Sequence, residues 1–177
     1  MKPGIIVMSE LRGALADRVR DIQERFDPRM AAELPPHITI TGSSGMGPIS
    51  TDTTDAELRT ALERVAVETQ PFNVRLEPPM RFMQSLVVVM NVEPNGPIRA
   101  LHERIKSSGL AYEAPRFTFT PHCTLSFYPE LSPGQLRELL RVRIDEPVAI
   151  GSIQAYRAVT LTRTKKVVDL PLTGRAS

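Results

Sequence analysis

Apolar positions in this chain recur at two periods, and each change of period marks a change of element. Gly4 to Ser9, rich in Ile and Val, reads as a short buried strand. Leu11, Leu15, Val19, Ile22 and Phe26 then recur at helical spacing, with Arg18, Arg20, Asp21 and Glu24 on the other side. This predicts an amphipathic helix over 10–26, stopped by Asp27-Pro28. Pro35-Pro36 introduces a strand over 37–41, and Gly42 to Pro48 follows as a loop. Thr54-Asp55-Ala56-Glu57 is a capping box opening a second helix that runs to about Thr69 on the face Leu58, Ala61, Leu62 and Val65. A half-buried strand over 72–76 and a central strand from Leu86 to Val92, apolar on both faces, come next. Asn95-Gly96-Pro97 opens a third helix with Ile98, Leu101 and Ile105 inward, closed by Gly109. A strand over 122–127 precedes a second capping box, Ser132 to Gln135, and a fourth helix with Leu136, Leu139 and Leu140 inward. Strands near 147–154 and 156–163, a basic turn at Arg163-Thr164-Lys165-Lys166 and a strand over 167–172 complete the pattern.

The order is strand, helix, strand, helix, strand, and then the same again. The apolar strand at Ile5 precedes His37 by 32 residues, and the one at Leu86 precedes His122 by 36. This predicts an α+β fold with duplicated topology, in which 1–177 is a single domain of two lobes related by a pseudo-two-fold. Such an arrangement brings the strands at 37 and 122 to a common cleft.

Composition narrows the setting. The 177 residues are 41% hydrophobic and 24% charged, ordinary for a soluble globular protein. No apolar run approaches the roughly 18 residues of a membrane span, and the short run Ile5 to Met8 is no signal-peptide core. The expectation is a cytoplasmic monomer with no membrane partner. A formal charge of +2 does not suit wrapping many phosphates, but it suits one small anionic ligand held locally. The one cysteine, Cys123, excludes an internal disulfide and reads as core filler.

The candidate chemistry lies in a repeated pentapeptide. Pro36-His37-Ile38-Thr39-Ile40 and Pro121-His122-Cys123-Thr124-Leu125 each place a histidine and a threonine two residues apart, hence on one face of a strand over an apolar layer. Two of the three histidines sit in this pattern, each directly after a proline. Two imidazoles titrating near neutrality can supply one base and one acid, and two hydroxyls can donate to non-bridging phosphate oxygens.

Two His-x-Thr motifs on strands of a duplicated α+β chain resemble the two-histidine phosphoesterase superfamily, which includes bacterial 2′-5′ RNA ligases and RNA 2′,3′-cyclic phosphodiesterases. The resemblance implies two lobes around a central cleft, each an antiparallel sheet with two helices outside. His37 and His122 would be catalytic, with Thr39 and Thr124 binding substrate. No metal and no cofactor are implied. The activity implied is metal-independent hydrolysis of 2′,3′-cyclic phosphate ends of RNA or of small cyclic nucleotides, with His122 as base and His37 as acid. The rival readings are 2′-5′ ligation or cleavage of a 2′-5′ linkage, a module that binds cyclic phosphate or RNA ends without turnover, and a structural protein with coincidental motifs.

Other residues are candidates of lesser weight. Phe127 and Tyr128 close the second motif strand and could stack on a base, or form core packing and rim respectively. Arg81, Arg116, Arg163, Lys165 and Lys166 could contact phosphate or the rest of an RNA strand. The glycine-rich loop 42–48 is either a plain connection or a lid whose N–H groups meet phosphate. His102, on the third helix, reads as a helix-surface or internally satisfied histidine. No nucleotide loop of Walker or Rossmann pattern occurs, so ATP is not expected.

Overall fold

The structure is a computed structural model that describes residues 4–42, 44–82, 85–128, 131–159 and 164–175. Five helices and nine strands are formed by these residues. In chain order they are β1 (Ile5–Glu10), α1 (Gly13–Phe26), α2 (Pro28–Glu33), β2 (His37–Thr41), α3 (Asp55–Glu68), β3 (Phe72–Val74), β4 (Met80–Arg81), β5 (Val88–Asn91), α4 (Pro97–Lys106), β6 (His122–Ser126), α5 (Pro133–Leu139), β7 (Val148–Ile150), β8 (Ser152–Ala158) and β9 (Thr164–Pro171).

Seven strands form one antiparallel sheet in the order β4-β5-β6-β2-β1-β8-β9, and β3 pairs with β7 separately. The two motif strands, β2 and β6, are neighbours at its middle, each flanked outward by the apolar strand that opens its half, β1 or β5. They meet through one bridge, Ile38 opposite Cys123. The two halves therefore share a single sheet with a narrow seam.

One face of the sheet is sealed by helices. Ile38, Ile40, Cys123 and Leu125 are buried with Val19 and Phe26 of α1 and Ile98, Leu101 and Ile105 of α4. Each helix holds the motif strand of the opposite half: Gln23 Nε2 of α1 donates to the Thr124 carbonyl, and His102 Nδ1 of α4 meets the Ile40 carbonyl at 2.8 Å. A carbonyl only accepts, so Nδ1 of His102 carries the proton. His102 is the internally satisfied histidine, not a surface one, and its ring stacks on Phe119 at 3.9 Å. Gly45, at φ +69°, lets the chain pass there, since a Cβ would lie 2.5 Å from His102 Nε2.

Several boundaries differ from the sequence reading. Asp27-Pro28 ends α1 but also starts α2, because the Asp27 side chain accepts from Met30 N with proline at the first helical position. The two-residue strand β4, invisible to periodicity, extends the sheet edge. The break between the strands near 150 falls at Gly151 rather than at residue 155. Lys165 and Lys166 lie on β9 rather than in a turn, while Arg163 and most of the connection before it lie outside the described residues. In the loop over 42–48, the N–H groups of Gly42, Gly45, Met46 and Gly47 all donate to protein carbonyls, two of them in the 113–117 segment, so these four are taken up within the protein, while residue 43 lies outside the described residues. No helix of the described residues is long and apolar enough to cross a membrane.

Candidate active site

The open face of the sheet carries the motif side chains. Extending the Ile38–Cys123 register by one residue each way sets His37 opposite Thr124, and Thr39 opposite His122. The two histidines are then diagonal neighbours, with backbones about 7–8 Å apart. Register across the outer strands completes two rows over the seam. One runs Glu10, His37, Thr124, Val89; the other runs Met8, Thr39, His122, Asn91. All four motif side chains are half-buried, and their neighbours Ile38, Ile40, Cys123 and Leu125 point into the sealed face.

Both histidines are fixed by the same local contact. His37 Nδ1 lies 2.7 Å from the Pro35 carbonyl, and His122 Nδ1 lies 2.7 Å from the Thr120 carbonyl. Each contact spans two residues, which is the turn that a proline before the histidine builds. Because the carbonyls only accept, both Nδ1 atoms carry hydrogen, leaving both Nε2 atoms to take or give a proton. Burial is the main cause that lowers the pKa of each below the ordinary histidine value, with the carbonyl contacts opposing it. Charge on His122 lowers His37 further, while the Glu10 carboxylate raises it. Charging His122 thus disfavours charging His37.

Three residues absent from the sequence reading border the pair. Phe82 places its ring 4.7 Å from that of His122 and meets the edge of exposed Phe117 at 6.4 Å. Glu10 and Asn91 occupy matching places beside His37 and His122. None of these has a local signal, since each is chosen by strand register or by the turn after β4.

The remaining sequence candidates are distributed around this centre. Arg81 lies on the edge strand β4 opposite Val88, and Arg116 lies in the segment before β6. Both are exposed, and neither guanidinium has a hydrogen-bond or ion-pair partner among the described residues. Phe127 and Tyr128 leave β6 at the other end from His122, with their N–H groups bonded to Asp27 Oδ2 at 2.7 and 2.8 Å. The Tyr128 hydroxyl donates to the Glu33 carboxylate, and Arg29 covers its ring at 3.8 Å; Phe127 is exposed. Cys123 is fully buried, and burial pushes its thiol up to about 12, so it is inert filler. No three His, Cys, Asp or Glu side chains of the described residues cluster as metal ligands do. Two concavities lie away from the histidines, one of about 680 Å³ between α3 and residues 108–111, the other of about 610 Å³ beside Arg12 and Asp169.

Comparison with known proteins follows the same lines. A family model described as the 2′-5′ RNA ligase superfamily matches residues 11–158. A Geobacillus kaustophilus protein, GK0864, provisionally named a phosphoesterase, is 32% identical over 127 residues, covering 71% of this chain and 68% of that one. A similarly named protein of Bacillus pumilus is 31% identical over 127 residues, 71% of this chain and 70% of the relative. Among solved structures, TT0787 of Thermus thermophilus superposes with a TM-score of 0.65 at 13% identity, over 97% of this chain and 99% of that one. Escherichia coli LigT in its apo form gives 0.53 at 19% identity, over 97% and 98%. At these identities the two structures speak for the fold.

Proposed function

The chain belongs to the 2′-5′ RNA ligase superfamily, and from that premise we propose that it hydrolyses 2′,3′-cyclic phosphate ends of RNA or small nucleotides by two-histidine acid–base catalysis. The observation that carries the reading is the crossed register of the seam. It sets a histidine beside a threonine twice over, each imidazole pinned through Nδ1 and each Nε2 left to move a proton. Two diagonal imidazoles are suited to groups on opposite sides of phosphorus.

In the proposed reaction His122 Nε2 takes a proton from water as the water oxygen bonds to phosphorus. The bond from phosphorus to one ribose oxygen breaks, and His37 Nε2–H gives that oxygen its proton. Thr39 and Thr124 donate hydrogen bonds to the non-bridging oxygens as their charge grows. The chain's own residues account for every proton moved, so the reading requires no metal. Exposed Phe117, edge-on to Phe82 beside His122, is suited to stack on a base, with Arg116 next to it free to meet phosphate. That a LigT structure was solved with 3′-AMP supports a nucleotide end as the ligand class.

The family's name favours one second reading, ligation, in which a 5′-hydroxyl takes the place of water as the nucleophile, giving its proton to His122 while His37 protonates the ribose oxygen that leaves. The deciding experiment measures turnover of the four nucleoside 2′,3′-cyclic monophosphates and of a short RNA with a cyclic end. It is run in EDTA, with and without a 5′-hydroxyl RNA, for wild type and His122→Ala. Turnover that persists in EDTA and is lost in the variant supports the proposal, and the product isomer identifies the leaving oxygen. Cyclic nucleotide that binds but is never turned over overturns it in favour of a binding module.

A further inference from the structure

The site is nearly symmetric, and the pair of side chains that breaks the symmetry lies just outside the motifs. Glu10 is in register with His37 on the open face, and Asn91 is in register with His122 on the same face. Directly opposed side chains on neighbouring strands start about 5 Å apart, so each is the lateral neighbour of its histidine. One neighbour is an acid and the other a neutral amide.

The Glu10 side chain is only 14% exposed and is held from two further strands. The Tyr156 hydroxyl of β8 donates to Oε1 at 2.6 Å, and Lys166 Nζ of β9 reaches the same oxygen at 2.7 Å. Lys166 also lies 3.4 Å from Asp169. Burial opposes the charge on Lys166, yet Glu10 and Asp169 outweigh it and hold that pKa above its usual value. Such a scaffold holds the Glu10 side chain in one place next to the His37 row. Asn91 is differently placed: Nδ2 meets Met80 Sδ at 3.0 Å, and Oδ1 is buried without a partner among the described residues.

We propose that Glu10 is the positioning residue that makes His37 the proton donor of the pair, and that the uncharged Asn91 leaves His122 as the acceptor. This rests on the acid–base reading above and goes beyond it by naming what decides which histidine does which. A carboxylate beside an imidazole favours its cation by direct attraction, whereas an amide carries no charge to do so. The groups facing His37 are Glu10 from β1, His122 from β6 and the Pro35 carbonyl that accepts from Nδ1. Tyr156 and Lys166 act on His37 only through Glu10.

The proposal predicts opposite effects from two substitutions in one contact. Glu10→Gln keeps the shape and removes the charge, so His37 should lose its proton at lower pH, by about half a unit or more. Lys166→Met leaves Glu10 in place without its counter-cation, so His37 should hold its proton to higher pH. Imidazole carbon-bound proton titration by NMR, assigned with single histidine variants, reads both directly and needs no turnover. With cyclic nucleotide as substrate, Glu10→Gln should lower kcat at pH 7 by about three- to tenfold with KM little changed, and recover when the pH is lowered. Asn91→Asp should raise the His122 midpoint. A His37 midpoint that is unmoved in both variants, or moved the same way in both, overturns the proposal. Should Glu10→Gln not fold, the Lys166→Met and Asn91→Asp shifts decide in the same manner. Absent turnover in wild type would sink the functional reading alone, because the titration order of the two histidines is still measured.

Discussion

Each motif imidazole is held by a carbonyl two residues earlier, and each is kept below the ordinary histidine pKa chiefly by burial; His102 shares that direction for the same first cause. In the unfolded chain these rings titrate near 6.5, so below that pH the unfolded state binds protons that the folded state resists. Their contribution is complete above about pH 6.5 and is lost as pH falls through the lower folded values. Thermal unfolding followed from pH 8 to pH 5 should give a flat Tm down to about 6.5 and a decline beneath it, shallower in His102→Gln. For catalysis the same lowering keeps the base unprotonated into weak acid, so the acidic limb of the rate profile should lie below 6.5. Replacing either His37 or His122 by Ala should cost about 10²- to 10⁴-fold in kcat. Thr39→Val or Thr124→Val should cost less, about 10²-fold, with KM the smaller change; steady-state kinetics on a cyclic nucleotide measures both.

The connections between elements hold the motif strands in place. Asp27 is the clearest case: nearly fully buried, it caps α2 through Met30 N and accepts from Phe127 N, Tyr128 N and Ser126 Oγ where β6 ends. Asp27→Asn puts an amide donor where N–H groups converge and should destabilise the fold by about 2–4 kcal/mol, read as a lower urea midpoint. The sequence signals reached elements of this kind unevenly. The motif strands, both capping boxes and the helices over α1, α3 and α4 were legible because periodicity and caps are local. The histidine–threonine alternation likewise placed His37, Thr39, His122 and Thr124 on strand faces. What could not be read was whatever strand pairing decides: Glu10 and Asn91 became neighbours of the histidines only once β1 and β5 took their register. Asp27 next to Pro28 showed the end of a helix, while its bonds to residues about 100 positions away had no local trace.

Across the whole molecule the two halves are interlocked. Helix α1 bonds to β6 through Gln23, and α4 bonds to β2 through His102, so each half lends its helix to the other's motif strand. Neither half can bury its own strand alone. Unfolding should therefore be one transition, with far-ultraviolet dichroism and tyrosine fluorescence superimposing in urea. Fragments divided near residue 94 should be unfolded apart and gain structure on mixing. The same exchange has a consequence for synthesis. Ile38 and Ile40 leave the ribosome about sixty residues ahead of Leu101 and Ile105, which will cover them. At about 5–20 residues per second the nascent chain carries that strand for several seconds before Leu101 and Ile105 can cover it, a span in which its apolar face is open to other chains.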